Sequence, residues 1–271
     1  MPMLTTGRLL IDYTDEGAGA PVVLLHSSVS GNRQWRPLAE ALRDRYRVLA
    51  LNLFGYGATT PWPDAAPQSL YGQAQLVLAL CEAVTGPIHL VGHSFGGAVA
   101  LKAAMLLGPQ VASLTLLEPN PFYLLAQADR TDAYLEVRAL RDHVKCYGAL
   151  GDWATAAARF ADYWLGDGAW AAMPTRRRDA FVAALPPSYH EWDAVMDEVT
   201  TIAACRALGA RTLVVSDPAT RRPIQEIVAL LAASCPRWTF RTVAVGGHMA
   251  PLTHPQLVNP LIRQFLDAGG A

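Results

Sequence analysis

The chain has 271 residues, 52% of them hydrophobic and 17% charged, with 22 Lys and Arg against 23 Asp and Glu. That apolar content at this length supports a large buried core, and suits one α/β domain with an inserted subdomain better than two independent domains. A formal net charge of −1 supplies no basic field for nucleic acid or an anionic membrane surface, so neither is expected as a partner.

Met1 to Arg8 lacks a basic segment followed by an apolar signal core, and no window approaches the roughly 18 uninterrupted apolar residues of a membrane span. Leu9–Thr14 reads as an edge strand and Glu16–Pro21 as a turn. Val22–His26 is a continuous apolar run, the signature of a strand buried on both faces of a parallel sheet. A helix is predicted over Gln34–Leu42, a strand over Arg47–Leu53 and a helix over Ser69–Val84. Ile88–Gly92 is strand-like, Ala98–Leu107 helical, and Ser113–Glu118 a strand closed by Pro119. From about 122 to 208 the pattern is helical and rich in aromatics, without a convincing strand. Strands return at Thr212–Ser216 and Thr239–Val245, with helices over Ile224–Ala233 and from the last strand to about Leu266. The alternation predicts a mostly parallel central sheet flanked by helices, with right-handed crossovers. Residues 1–121 and 209–271 form the expected core, and 122–208 an inserted helical cap over the strand ends, where open sheets bind ligands. Cys81, Cys146, Cys205 and Cys235 are scattered without metal or redox spacing. They read as buried reduced thiols, and the expected compartment is the cytoplasm.

The densest chemical signal is Gly92-His93-Ser94-Phe95-Gly96, set between an apolar strand and a helical run. Five residues of the form G-x-S-x-G are a weak signal alone, because turns favour both residue types. Strand, one-residue corner and helix together are the context of a nucleophile elbow. At such a corner the backbone at Ser94 is strained, and Gly92 and Gly96 keep side chains from colliding across the turn. The hydroxyl is then presented at the sheet edge, beside the unpaired N–H groups that open the helix.

With these motifs the whole chain resembles the α/β-hydrolase superfamily. His26-Ser27-Ser28 stands where that family usually has His-Gly-x, and Asn52-Leu53-Phe54-Gly55-Tyr56-Gly57 is similar to its D-x-x-G-x-G turn, with Asn in place of Asp. The order Ser, acid, His is also the family's. The resemblance implies an α/β-hydrolase fold and a catalytic Ser94, with His248 as its base. A free imidazole exchanges its proton near neutral pH, and Gly246-Gly247 places His248 on a loop after the last strand. His93 is expected to point away from Ser94, and His26 to brace the loop that follows its strand. His89, His143, His190 and His254 carry no supporting pattern, although His143 or His190 in the cap could touch substrate.

Two carboxylates compete for the acid position. Most of the family places Asp in the turn after the strand here ending at Ser216, but the slot counted back from Pro223 falls near Ala219 or Thr220. Asp217 comes about two positions early. Glu118, in Leu116-Leu117-Glu118-Pro119, occupies the position used in certain haloalkane dehalogenases and zearalenone-type lactonases. Glu118 is preferred, with Asp217 as the alternative; a carboxylate that merely caps local N–H groups is the plain reading of Glu118. Either acid would fix the imidazole tautomer and stabilise the imidazolium. The oxyanion hole is expected from the Phe95 N–H and the Ser28 N–H, and Ser27 in place of glycine puts that loop's conformation in question.

These residues predict hydrolysis of a carboxylic ester or lactone of a small, apolar substrate through an acyl-enzyme. Acyl transfer to an alcohol, cleavage of a carbon–carbon bond, and a non-catalytic small-molecule binder of the same fold are the alternatives. Halide displacement in this fold uses Asp where this chain has Ser94. No metal is implied, because no cluster has ligand spacing, and no cofactor, because Gly55-Tyr56-Gly57 lacks the third glycine and helix of a dinucleotide fingerprint. Arg176-Arg177-Arg178, followed by Asp179, reads as a solvated loop or helix edge rather than a phosphate- or acid-binding site, and the sequence sets no oligomeric state.

Overall fold

The computed structural model describes residues 2–63 and 65–269. Eight strands form one sheet: β1 (Met3–Thr6), β2 (Leu9–Glu16), β3 (Ala20–Leu25), β4 (Tyr46–Leu51), β5 (Ile88–His93), β6 (Val111–Leu117), β7 (Arg211–Ser216) and β8 (Thr239–Thr242). Their spatial order is β1-β2-β4-β3-β5-β6-β7-β8. The β1–β2 and β2–β4 pairings are antiparallel, and all the others are parallel.

The sheet is covered on both faces, as its continuous apolar strands require. Val22 and Leu24 of β3 pack with Leu38 and Leu42 of α1 (Arg36–Leu42) and with Val258, Ile262 and Leu266 of a C-terminal helix, Pro255–Asp267. Val23 and Leu25 face the other way, toward Leu76 and Leu80 of α2 (Leu70–Glu82) and the alanine-rich α3 (Phe95–Leu107). Ser69 caps α2 by accepting the Gly72 N–H on its hydroxyl at 3.0 Å.

Between β6 and β7 the chain forms only helices: α4 (Tyr123–Gln127), α5 (Thr131–Ala149), α6 (Trp153–Leu165), α7 (Ala169–Ala172), α8 (Thr175–Ala184), α9 (Ser188–Met196) and α10 (Ile202–Ala207). Their apolar residues join the cluster on the α3 side of the sheet, where Phe122 stacks on Trp192 at 6.0 Å between ring centroids. After β7 come α11 (Arg222–Ser234), β8, α12 (Ala250–Thr253) and the C-terminal helix α13.

Four expectations are corrected. Leu9–Thr14 is not the edge, because Met3–Thr6 folds back on it through Gly7, which has φ 57°. The predicted helix at Gln34 is a single 3₁₀ turn, Asn32–Trp35, and α1 begins only at Arg36, with Pro37 in its first turn. The last strand stops at Thr242 rather than Val245. Of the cysteines, Cys146 is exposed; α5 buries Ala133, Val137, Leu140 and Val144 on one stripe, and Cys146 lies off it.

Candidate active site

Strand order reverses between β3 and β5: β3 leads to β4 on one side, while β5 leads to β6 on the other. The carboxyl ends at this switch point form the crevice in which open α/β sheets bind ligands. Ser94 stands there between β5 and α3, with φ 53° and ψ −117°, outside the common regions for a side-chain-bearing residue. A Cβ at Gly92 would overlap Gly96 O, and one at Gly96 would overlap the Leu25 and His26 carbonyls. Both glycines are therefore steric requirements of the corner. The Ser94 N–H is held by Leu117 O at 2.9 Å, which ties the corner to β6.

His248 arrives from a loop that bends through Gly246 and Gly247, with φ 89° and 55°. Its Nε2 lies 2.9 Å from Ser94 Oγ and its Nδ1 3.2 Å from Glu118 Oε2. A carboxylate can only accept, so Nδ1 carries the proton and Nε2 is free to accept from the serine hydroxyl. Ser94, His248 and Glu118 are 4%, 5% and 2% exposed, and the Trp164 ring of α6 covers the imidazole at 4.1 Å between centroids. Glu118 is itself fixed: it sits at φ 47°, accepts the Asp217 N–H at 2.6 Å and the Thr220 hydroxyl at 2.5 Å.

Asp217 has a different set of partners. Its two oxygens accept the N–H groups of Ala219 at 2.8 Å and Gly247 at 2.9 Å, so the carboxylate joins the loop after β7 to the loop that carries His248. Thr220, in the slot where the sequence lacks an acid, donates to Glu118 instead.

The loop after β3 is braced from several sides. His26 Nε2 accepts the Leu53 N–H at 3.1 Å, which leaves its Nδ1–H to donate to Ser27 O at 2.8 Å. Complete burial lowers the His26 pKa to about 4, so this ring is neutral. Ser27 does not adopt a positive φ; Val29 does, at 63°. Ser27 instead donates its N–H and its hydroxyl to Gln34 Oε1 at 3.0 and 2.9 Å. Gln34 Nε2 donates onward to His93 Nδ1 at 3.0 Å, and the opposite His93 nitrogen donates to His248 O at 2.8 Å. Burial, followed by the neighbouring His248, holds His93 well below the ordinary histidine pKa. His93 thus points away from the Ser94 hydroxyl and links two loops. The N–H groups of Ser28 and Phe95 donate to no acceptor among the described residues.

Asn52 explains one departure from the resembling motif. Its Nδ2 donates to Asp12 at 2.8 Å and its Oδ1 accepts the Asn32 N–H at 2.7 Å. An aspartate at 52 would set two carboxylates against each other, whereas the amide supplies a donor.

A cavity of about 350 Å³ opens on Ser94 and His248. Phe160, Trp164, Phe181 and Trp192 line it, whereas the other aromatics of the helical segment pack elsewhere. Arg177 reaches its lining, while Arg178 donates to the Met173 and Ala171 carbonyls, both at 2.7 Å. Glu191 of α9 is the acidic side chain in the lining, and burial raises its pKa from 4.5 to about 7. His89 pairs with Ser113, His143 with Thr155 O and His254 with Thr253; none of the three lines the cavity.

Thr220, Gln34, Trp164 and Glu191 are the site residues that sequence reasoning missed. Thr220 alone left a trace, as the unfilled acid slot. Among the described residues, no group of three or more His, Cys, Asp or Glu could hold a metal ion, and no helix is long and apolar enough to cross a membrane.

Comparison with known proteins agrees with this architecture. A pimeloyl-[acyl-carrier protein] methyl ester esterase of Methylococcus capsulatus is 37% identical over 108 residues, which is 40% of this chain and 40% of that protein. Lipase LipV of Mycobacterium tuberculosis is 29% identical over 272 residues, covering 91% of this chain and 93% of its own. The structure of a thermophilic esterase from Thermogutta terrifontis superposes with a TM-score of 0.80 over 100% of both chains, at 23% identity. The model of the alpha/beta hydrolase family matches residues 22–261. With that match over most of its length and the eight-stranded, mostly parallel sheet beneath it, the chain belongs to the alpha/beta hydrolase family.

Proposed function

We propose that this protein is a serine hydrolase that cleaves a carboxylic ester or lactone of a small, largely apolar substrate through an acyl-enzyme on Ser94. The observation that carries the reading is the chain of contacts Ser94–His248–Glu118, at 2.9 and 3.2 Å, opening on an aromatic cavity. His248 takes the proton of Ser94 Oγ as that oxygen attacks the carbonyl carbon, and Glu118 stabilises the imidazolium. The tetrahedral oxyanion is received by the free N–H groups of Phe95 and Ser28, each donor of this kind being worth about 10² to 10³ in rate. His248 returns the proton to the departing alkoxide. Water, activated by the same imidazole, then releases the acid. Residues 122–208 act as the cap that walls the cavity, and the unpaired cysteines among the described residues suit a cytoplasmic setting.

Glu118 is assigned as the acid, because it faces His248 Nδ1 while both Asp217 oxygens are taken by backbone N–H groups. A fluorophosphonate probe should label Ser94 stoichiometrically, and Ser94→Ala should abolish both labelling and turnover of p-nitrophenyl esters and lactones. Glu118→Gln should lose on the order of 10⁴ in turnover, and Asp217→Asn much less. Near wild-type turnover in Glu118→Gln refutes the assignment, and an unlabelled Ser94 refutes the acyl-enzyme.

A further inference from the structure

Glu191 is a costly residue where it stands. It is 3% exposed on α9, one of its oxygens has no partner, and burial outweighs the lowering effect of the neighbouring hydroxyls to bring its pKa up to about 7. A leucine would fill the same wall of an aromatic cavity without that cost. The carboxyl does, however, hold the loop after β3. Its Oε2 accepts the hydroxyl of Ser28, across 163 residues of sequence. The Tyr56 hydroxyl, which lies near the same carboxyl, accepts the Val29 N–H at 2.9 Å. Val29 is β-branched at φ 63°, a strained conformation that persists only when its surroundings impose it. Ser28 is thus tethered to the carboxyl directly, and its neighbour Val29 is held by Tyr56. His26 and Gln34 fix only the Ser27 end of the loop.

We propose that Glu191 is a positioning residue that holds the Ser28–Val29 segment so that the Ser28 N–H points at the oxyanion, which makes the inserted helix α9 part of the catalytic framework. The inference rests on the acyl-enzyme reading of Ser94. The groups beside the carboxyl are Ser28 and Tyr56, and the titratable or charged side chains that line the same cavity are His248 and Arg177.

The test measures kcat and KM on p-nitrophenyl acetate, an ester too small to need the far wall of the cavity. Wild type is compared with Glu191→Leu, Glu191→Gln, Ser28→Ala and the double variant Ser28→Ala/Glu191→Leu. Ser28→Ala keeps the backbone N–H and cuts the tether from the loop side, so the result does not hang on a buried replacement in α9. Glu191→Leu and Ser28→Ala should each lower kcat about 10- to 100-fold, the scale of a misplaced catalytic group, with KM nearly unchanged. The double variant should lose no more than the worse single one, because both cut the same link. Glu191→Gln should recover most of the loss, since its amide oxygen still accepts from Ser28. A raised KM at constant kcat would make Glu191 a wall residue only, and losses that multiply in the double variant would break the link; either overturns the inference. Turnover that persists in Ser94→Ala would instead overturn the reading of the site.

Discussion

His26 and Glu191 flank the loop after β3, and burial moves their protonation equilibria in opposite directions: the histidine down to about 4, the carboxyl up to about 7. As pH falls below about 6.5 the unfolded chain protonates His26 before the folded chain does, so this residue withdraws stability toward acid. Glu191 does the reverse. Its contribution is whole below about 4.5 and is lost as pH rises toward 7, where the folded carboxyl finally ionises. The two slopes oppose each other in between. Glu191→Gln removes one of them, and its stability relative to wild type should climb between pH 4 and 8 by about 3 kcal/mol, because each tenfold change in proton affinity is worth about 1.4 kcal/mol. Urea titrations at a series of pH values measure this, and parallel curves for the two proteins would refute it. At this scale the sequence is uneven. The approach of Ser94 and His248 is readable because a strained corner and a glycine-flanked loop leave local patterns. The competition between Glu118 and Asp217 is not, since both follow strands that end at the same edge and differ only in which way the carboxylate turns. Glu191 leaves no local pattern, because its partner Ser28 is 163 residues away.

Secondary structure was most legible where period and flanking residues agree. The run Val22–Leu25 reads as a doubly buried strand, and Val22/Leu24 and Val23/Leu25 pack into opposite clusters. Ser69 before an apolar helical run reads as a helix start and accepts the Gly72 N–H at 3.0 Å. Ser69→Ala should therefore cost about 1 kcal/mol of stability, seen as a lower urea midpoint with an unchanged slope, and Ser69→Asp should restore it. The exposed β1 was missed because Met3–Thr6 is short and buries little; only pairing with β2 makes it a strand. The helices between β6 and β7 are recognisable by the absence of strand period, but which aromatics would face a cavity is not. Phe160 and Trp164 share α6 with Tyr163, and Tyr163 turns to Glu136, 2.7 Å from its hydroxyl.

The helical segment and the sheet are sewn together at several points. Phe122 stacks on Trp192, Lys102 of α3 meets Glu198 at 3.4 Å and Thr200 at 3.0 Å, and Arg221 beside β7 donates to Tyr163 O at 2.5 Å. Residues 122–208 should therefore unfold in the same cooperative unit as the strands. Tryptophan fluorescence, to which Trp153, Trp164, Trp170 and Trp192 of that segment contribute, should report the same urea midpoint as far-UV circular dichroism. A separate, earlier fluorescence transition would show the segment melting on its own. A bond path also runs beneath the site, from Ser27 through the Gln34 amide and the His93 ring to the His248 carbonyl. Each member bonds to the next, so these positions are coupled as one set. Placing a glycine at 27 would take away a hydroxyl donor from Gln34, and trading His93 for an apolar residue would leave the Gln34 amide and the His248 carbonyl without this partner. Engineers who borrow this scaffold would do best to exchange positions 27, 34 and 93 together or leave all three alone.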